Sequence, residues 1–344
     1  MSTPERLSER QLRVLEAVIE TYIETAEPAG SRTIARRYGL GVSPATIRTI
    51  MGELEAGGYL FHPHTSAGRI PTDRAYRVYV DSLMHLSPPS REAQQTLQAE
   101  LPTSRSAMDQ LLRRAAQVLG VLTQELGVAA APTFDHVVLD RLELVQVSSD
   151  RLLMMLTLRT GAVRTIFVEV RGAIAPEALQ RVAQVLNERL AGLSVEQIRA
   201  SLGERLRDAG GTPEGQELLN IFVAEREELF DLSTESQEVV LGSAQMLADQ
   251  PEFASNVRMR ELLHLTERRD LLREALRTRR EGLTITIGGE NADPRLGGFT
   301  LVTASYRTGD LRGVIGVLGP TRMPYEKIIG LVEHTSLLVE GLLT

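Results

Sequence analysis

Between Ser43 and Arg69 the chain collects side chains that suit one chemistry, the gripping of a polyanion. Ser43 and Pro44 open a helix, and Ala45, Thr46, Arg48 and Thr49 fall on faces that its apolar residues leave free. A loop follows with His62, His64, Thr65, Ser66 and Arg69. Hydroxyls and a guanidinium on the first turns of a helix can reach base edges or phosphates in a major groove. Backbone N–H groups at the Ser43 end offer a further phosphate site. The loop residues are expected to lie along an adjacent groove or the sugar–phosphate backbone.

Other chemistries fare worse on the same residues. His62 and His64 flank Pro63 without a third ligand nearby, too few for a zinc site, and no metal is expected. Gly288-Gly289-Glu290-Asn291 and Gly319-Pro320-Thr321-Arg322 lack both the Gly-Lys-Ser/Thr ending and the strand–GxGxxG–helix context of phosphate loops, so they read as turns. No Ser/His/Asp set or carboxylate pair has the spacing of a catalytic site, and neither enzymatic activity nor a cofactor is expected. Arg74 and Arg77 read as solvated or paired side chains.

The elements that must position these residues follow from periodicity. Leu12, Leu15, Val18, Ile19, Tyr22 and Ile23 predict a first helix over 8–24, capped by Ser8 and ended before Pro28. A short second helix over 31–38 turns Ile34 and Ala35 inward and Arg32, Arg36 and Arg37 outward. In the third helix Ile47, Ile50, Met51 and Leu54 form the buried stripe, Pro44 sits at the first helical position, and Gly57-Gly58 stops the helix. Residues 59–61 and Ile70 can then pair as a hairpin. Three helices followed by a two-stranded wing make a winged helix-turn-helix. Trihelical units of this kind also serve as protein-interaction modules, but the arginine excess and the polar wing favour DNA.

Beyond Ser87-Pro88-Pro89-Ser90, a stiff polar break, the pattern changes. A helix is expected over about 106–126, then hairpin-linked strands over 137–147, 152–158 and 163–170. Helices follow at 176–190, from the capping box Ser194–Gln197, and at 213–232; another spans 257–280. Strands at 283–287, 300–306 and 314–318 and a helix over 325–343 close the chain. Strands on both sides of a helical block, about 172–232, indicate an α+β domain interrupted by an insertion. The expected organisation is a DNA-binding domain over 1–87 and an α+β domain over 104–344.

The chain has 344 residues, no cysteine, and the apolar and charged shares, 42% and 24%, of an ordinary globular protein. Missing cysteine removes disulfides, thiolate nucleophiles and Cys-ligated zinc. The polar start, MSTPERLSERQ, and the lack of a long apolar run point to a cytoplasmic protein without a membrane partner. The net charge is −7, yet Ser31 to Leu83 holds seven arginines against four carboxylates, a net +3. The basic patch coincides with the candidate interface.

Several stretches resemble the HrcA family of heat-inducible transcription repressors. They are GluProAlaGlySer at 27–31, SerProAlaThrIleArg at 43–48, MetGlyGluLeuGlu at 51–55, ProHisThrSerAlaGlyArgIleProThr at 63–72 and TyrArgValTyrValAsp at 76–81. GlyGlyGluAsn at 288–291 and GlyValIleGlyValLeuGlyProThrArgMetProTyr at 313–325 match as well. The resemblance implies a homodimeric repressor of chaperone operons that binds an inverted-repeat operator on double-stranded DNA, called CIRCE. It also implies a GAF-like α+β domain, a dimerising insertion within it, and the GroEL chaperonin as the partner that promotes the DNA-binding form. The alternative is a small-molecule-responsive winged-helix regulator whose GAF-like domain senses the ligand.

Overall fold

The computed structural model describes residues 7–63, 68–101, 108–133, 136–209, 212–230, 239–309 and 311–343. The fold is mixed α and β, in two compact units. The first comprises Met1–Ala130, Val239–Tyr306 and Val314–Leu343; the second comprises Ala131–Glu238 with Arg307–Gly313.

In the first unit, α1 (Glu9–Thr25), α2 (Ser31–Tyr38) and α3 (Pro44–Ala56) pack about Leu15, Ile19, Ile34, Ile47 and Leu54, all fully buried. Ser8 caps α1 by a full capping box with Gln11. The strands β1 (Leu60–Phe61) and β2 (Ile70–Pro71) pair antiparallel, and α4 (Asp73–Val78) follows. α4 continues only as a π-helical turn, Tyr79–Leu83. Beyond Pro88-Pro89 lies a helix the sequence reading passed over, α5 (Arg91–Glu100), before α6 (Met108–Thr123).

The first unit's sheet has the order β7-β3-β10-β9-β8, from β3 (Leu126–Thr133), β7 (Val240–Leu241), β8 (Leu283–Ile287), β9 (Phe299–Thr308) and β10 (Leu311–Pro320). Phe299–Ala304 of β9 and Gly313–Pro320 of β10 are buried without a break, whichever way each residue points, so both faces are covered there. One face meets Leu262, Leu265, Leu272 and Leu276, with Phe253 stacked on Phe299 at 6.0 Å. The closing helix α14 (Tyr325–Leu343) packs on α6. The single helix expected over 257–280 is two, α12 (Asn256–Glu267) and α13 (Arg269–Arg277), parted at Arg268, whose ψ of 68° is not helical. Two short helices precede them, α10 (Arg226–Leu229) in the second unit and α11 (Gln245–Ala248) in the first.

The second unit differs from the expected insertion in extent and in composition. It begins at Ala131, not near 172, and it is not only helical. It contains the sheet of β4 (Leu139–Ser148), β5 (Arg151–Leu158) and β6 (Val163–Glu169), separate from the five-stranded sheet. The helices α7 (Pro176–Leu190), α8 (Val195–Arg205) and α9 (Pro213–Ala224) cover one side of it, burying Leu142, Leu152, Met154 and Leu156 with Leu186, Ile198 and Phe222. Alternation marks a strand but not its sheet, so the strands looked like part of the surrounding domain. Burial under these helices removes the inner side chains from water at about 25 cal/mol per Å².

Candidate nucleic-acid interface

The third helix is fixed at its start by Ser43, whose hydroxyl accepts from the Thr46 N–H at 3.2 Å and lies 3.0 Å from the Thr46 hydroxyl. Such a cap is worth about 1 kcal/mol. Pro44 occupies the first turn, where its missing N–H costs nothing. Because Ile47, Ile50, Met51 and Leu54 are buried, the helix has one permitted orientation, and Ser43, Ala45, Thr46, Arg48 and Thr49 are all exposed. Those five sequence-predicted residues share one outward surface.

The Arg48 side chain has no hydrogen bond or ion pair with any described residue, and the same holds for the side chains of the exposed Arg32 and Arg36 of α2. Arg37, by contrast, is ion-paired with Glu24 of α1 and stacks on Tyr38. The link between α2 and α3 is short because Gly39 and Gly41 take φ of 55° and 71°, the left-handed region that favours glycine. Sequence places Arg32 and Arg36 outward without marking them as site residues; their lack of side-chain partners among the described residues is the signal that adds them.

The hairpin is less simple. His64, Thr65 and Ser66 lie outside the described residues. Arg69 is described, and it is not an open cation: its guanidinium pairs with Glu55 at 2.8 Å and its side chain is 17% exposed. Its backbone exchanges both hydrogen bonds with Ala29, each 2.9 Å, in the turn between α1 and α2. A Cβ at Gly68 would come within 2.3 Å of the Ala29 carbonyl oxygen, so that close approach needs glycine. Glu55 also meets the His62 ring, 3.9 Å away. Arg69 therefore joins the hairpin to the end of α3, a role that spacing could not reveal because Glu55 is brought to it by the fold.

Arg74 and Arg77 are paired, as their sequence reading has it. Arg74 donates to the Gly57 carbonyl at 2.8 Å and lies 4.3 Å from the Tyr59 ring centre. Arg77 binds Asp81 and Glu290. Among the described residues no group of three or more His, Asp or Glu could hold a metal ion, and no helix is long and apolar enough to cross a membrane.

The family model for the HrcA protein C terminal domain matches residues 109–329. The heat-inducible transcription repressor HrcA of Chlorobium phaeobacteroides (strain BS1) is 37% identical over 342 residues, covering 95% of this chain and 96% of that protein. The chain belongs to the HrcA family. The HrcA repressor of Geobacter sulfurreducens is 35% identical over 344 residues, 98% of both chains, so the likeness to the family runs through the N-terminal helices too. The fold is also that of a crystal structure described as a hypothetical protein at 2.2 Å resolution, with a TM-score of 0.59, 22% identity and coverage of 98% of this chain and 99% of that one.

Proposed function

We propose that this HrcA-family chain is a cytoplasmic, homodimeric repressor that binds an inverted-repeat CIRCE operator upstream of chaperone operons and releases it under heat stress. The observation that carries the reading is the Arg48 side chain, without a partner among the described residues, on the exposed N-terminal turns of α3 between Ala45, Thr46 and Thr49. In this reading α1–α3 and the β1–β2 hairpin form a winged helix-turn-helix, with α3 in the major groove and Arg32 and Arg36 facing phosphates. The five-stranded sheet and its helices form the GAF-like domain. The GroEL chaperonin favours the DNA-binding form, as the family implies.

The homodimer draws support from the outward side of the β4–β5–β6 sheet. Register sets Val145, Leu153 and Phe167 side by side, and Val145, Val163 and Phe167 are 45%, 57% and 61% exposed. Contiguous apolar surface of this kind marks an association face, and a second copy supplies one by symmetry. Two α3 helices related by a two-fold axis would read a palindrome with half-sites whole helical turns apart. Fluorescence anisotropy with an inverted-repeat duplex and a scrambled duplex tests the reading. Tight binding of the first, falling steeply with salt, is expected; equal affinity for both duplexes would contradict sequence-specific repression.

The small-molecule-sensing alternative has one observation in its favour. A cavity of about 650 Å³ is lined in part by Tyr22, Arg74, Tyr76, Glu252, Arg258 and Arg322, the size and mixed lining of a ligand site. A small organic anion that shifted the operator titration at least tenfold would favour this alternative, and the absence of any shift would remove its support.

A further inference from the structure

The two glycine-containing turns that looked like simple punctuation, 288–291 and 319–322, both hold the N-terminal helices. At the first, Arg77 of α4 donates to Glu290 through Nε at 2.8 Å and through Nη2 as well, and Nη2 also reaches the Ile285 carbonyl at 2.8 Å. Glu290 is steadied by the Ile287 N–H at 2.9 Å. Beside it the Gly289 N–H donates to Asp73 at 3.0 Å, and a Cβ at Gly288 would fall 2.0 Å from that carboxylate. Burial is the largest single influence and opposes the charge on Glu290, but the Arg77 hydrogen bond, the Ile287 N–H and the Arg77 charge together outweigh it and hold the carboxyl below its ordinary range.

At the second turn Arg322 donates from Nη1 to the Ile23 carbonyl at 2.7 Å. Ile23 lies in the last turn of α1, where carbonyls have no partner within the helix. The other two nitrogens of Arg322 grip Glu252 in a bidentate pair, with Nη2 at 2.9 Å. Its side chain is only 14% exposed. Beyond the second turn Tyr325 meets Tyr76 and Tyr79, with ring centres 5.7 Å and 6.5 Å apart.

We propose that these two turns latch the three-helix module to the five-stranded sheet, and that Arg77 and Arg322 are positioning residues for operator binding. A tyrosine contact alone would allow rocking; the two-bond Arg77–Glu290 pair on α4 fixes direction as well as distance, and Arg322, itself steadied by Glu252, adds a second point at the end of α1. Fixed direction matters because a dimer that reads two half-sites must hold its two recognition helices at a set spacing and phase. A loosely tethered module would bind each half-site by effective concentration and tolerate altered spacing. The operator part of this inference rests on the repressor reading above.

The chain lacks cysteine, so Thr33→Cys and Arg273→Cys, both at exposed positions, allow clean spin-label pairs in the full-length protein. A single narrow distance is expected, broadening in Arg77→Ala/Arg322→Ala and in the gentler Glu290→Gln, and narrowing again in the swapped pair Arg77→Glu/Glu290→Arg. An unchanged narrow distance in all variants would overturn the latch. On DNA, lengthening the spacer by about half a helical turn, roughly 5 base pairs, should cost the unmodified chain at least about tenfold in affinity. The latch variants should lose less than about threefold while binding a single half-site within about twofold of the unmodified chain. Equal spacing profiles, or a matching loss on the single half-site, would overturn the positioning role. Broadened distances in a chain with no preference for any inverted repeat would uphold the latch and sink the repressor reading instead.

Discussion

The outward side of α3 and the outward side of the β4–β5–β6 sheet are both uncovered, and their chemistry is opposite. The first carries hydroxyls, small side chains and an arginine whose side chain has no partner among the described residues. The second carries Val145, Leu153, Val163 and Phe167. A hydrated polyanion is met by the first kind of surface and a dry protein partner by the second. Exposure alone therefore does not name a ligand; the chemistry of the exposed row does.

The largest expected effect separates the two sides of the sheet. Phe222→Ala removes a ring fully buried on the helix-covered side and should destabilise by about 3–5 kcal/mol in denaturant melts. A loss under about 1 kcal/mol would mean that this core repacks freely. Phe167→Asp, on the open side, should leave the melt little changed but weaken self-association by about 2 kcal/mol or more, roughly thirtyfold, in sedimentation equilibrium. If that variant sediments like the unmodified chain, the apolar row is not the association face.

Arg48→Ala should cost about 1–3 kcal/mol of operator affinity and relax specificity at one base position, without altering sedimentation. Arg69→Ala sharpens the distinction between an open and a paired cation. A phosphate contact would flatten the salt slope by about one unit. The Glu55 pairing instead predicts an unchanged slope and a stability loss of about 1 kcal/mol. Glu125, away from both surfaces, gives the smallest effect. It is buried with Gln250 as a hydrogen-bond donor at 3.1 Å, and burial raises its carboxyl well above the ordinary value. The native state then holds the proton more tightly than the unfolded state, so stability falls as pH rises from the ordinary carboxylate value through the raised one. Glu125→Gln should remove that slope, and an unaltered pH profile would assign the slope elsewhere.

The two surfaces also differed in how far sequence could reach them. The third helix is written in local signals: a Ser-Pro start, a 3–4 stripe of apolar residues and a Gly-Gly stop, all within 16 residues, 43–58. The strands of the second unit are equally visible one at a time, but nothing local says that β4–β6 form a sheet of their own, so in sequence they look like part of the surrounding domain. Strand β3 was missed because Gly127 and Ala129 to Ala131 have little strand preference. Its conformation is imposed by β7 and β10, and Gly127 is there because a Cβ would overlap the Ala116 carbonyl of α6. The pairing of Arg69 and the helix contacts of the two glycine turns are illegible in sequence for a related reason. Their partners Glu55, Arg77 and Ile23 are supplied by tertiary packing, which one-dimensional spacing does not carry.

The central claim, that paired α3 helices read an inverted repeat through residues such as Arg48, is tested most directly by hydroxyl-radical footprinting of the unmodified and Arg48→Ala chains on the same operator. Two symmetric protected patches, separated by whole turns of DNA and weakened in both halves by the substitution, are the expected result. Full, unchanged protection by Arg48→Ala would contradict the claim.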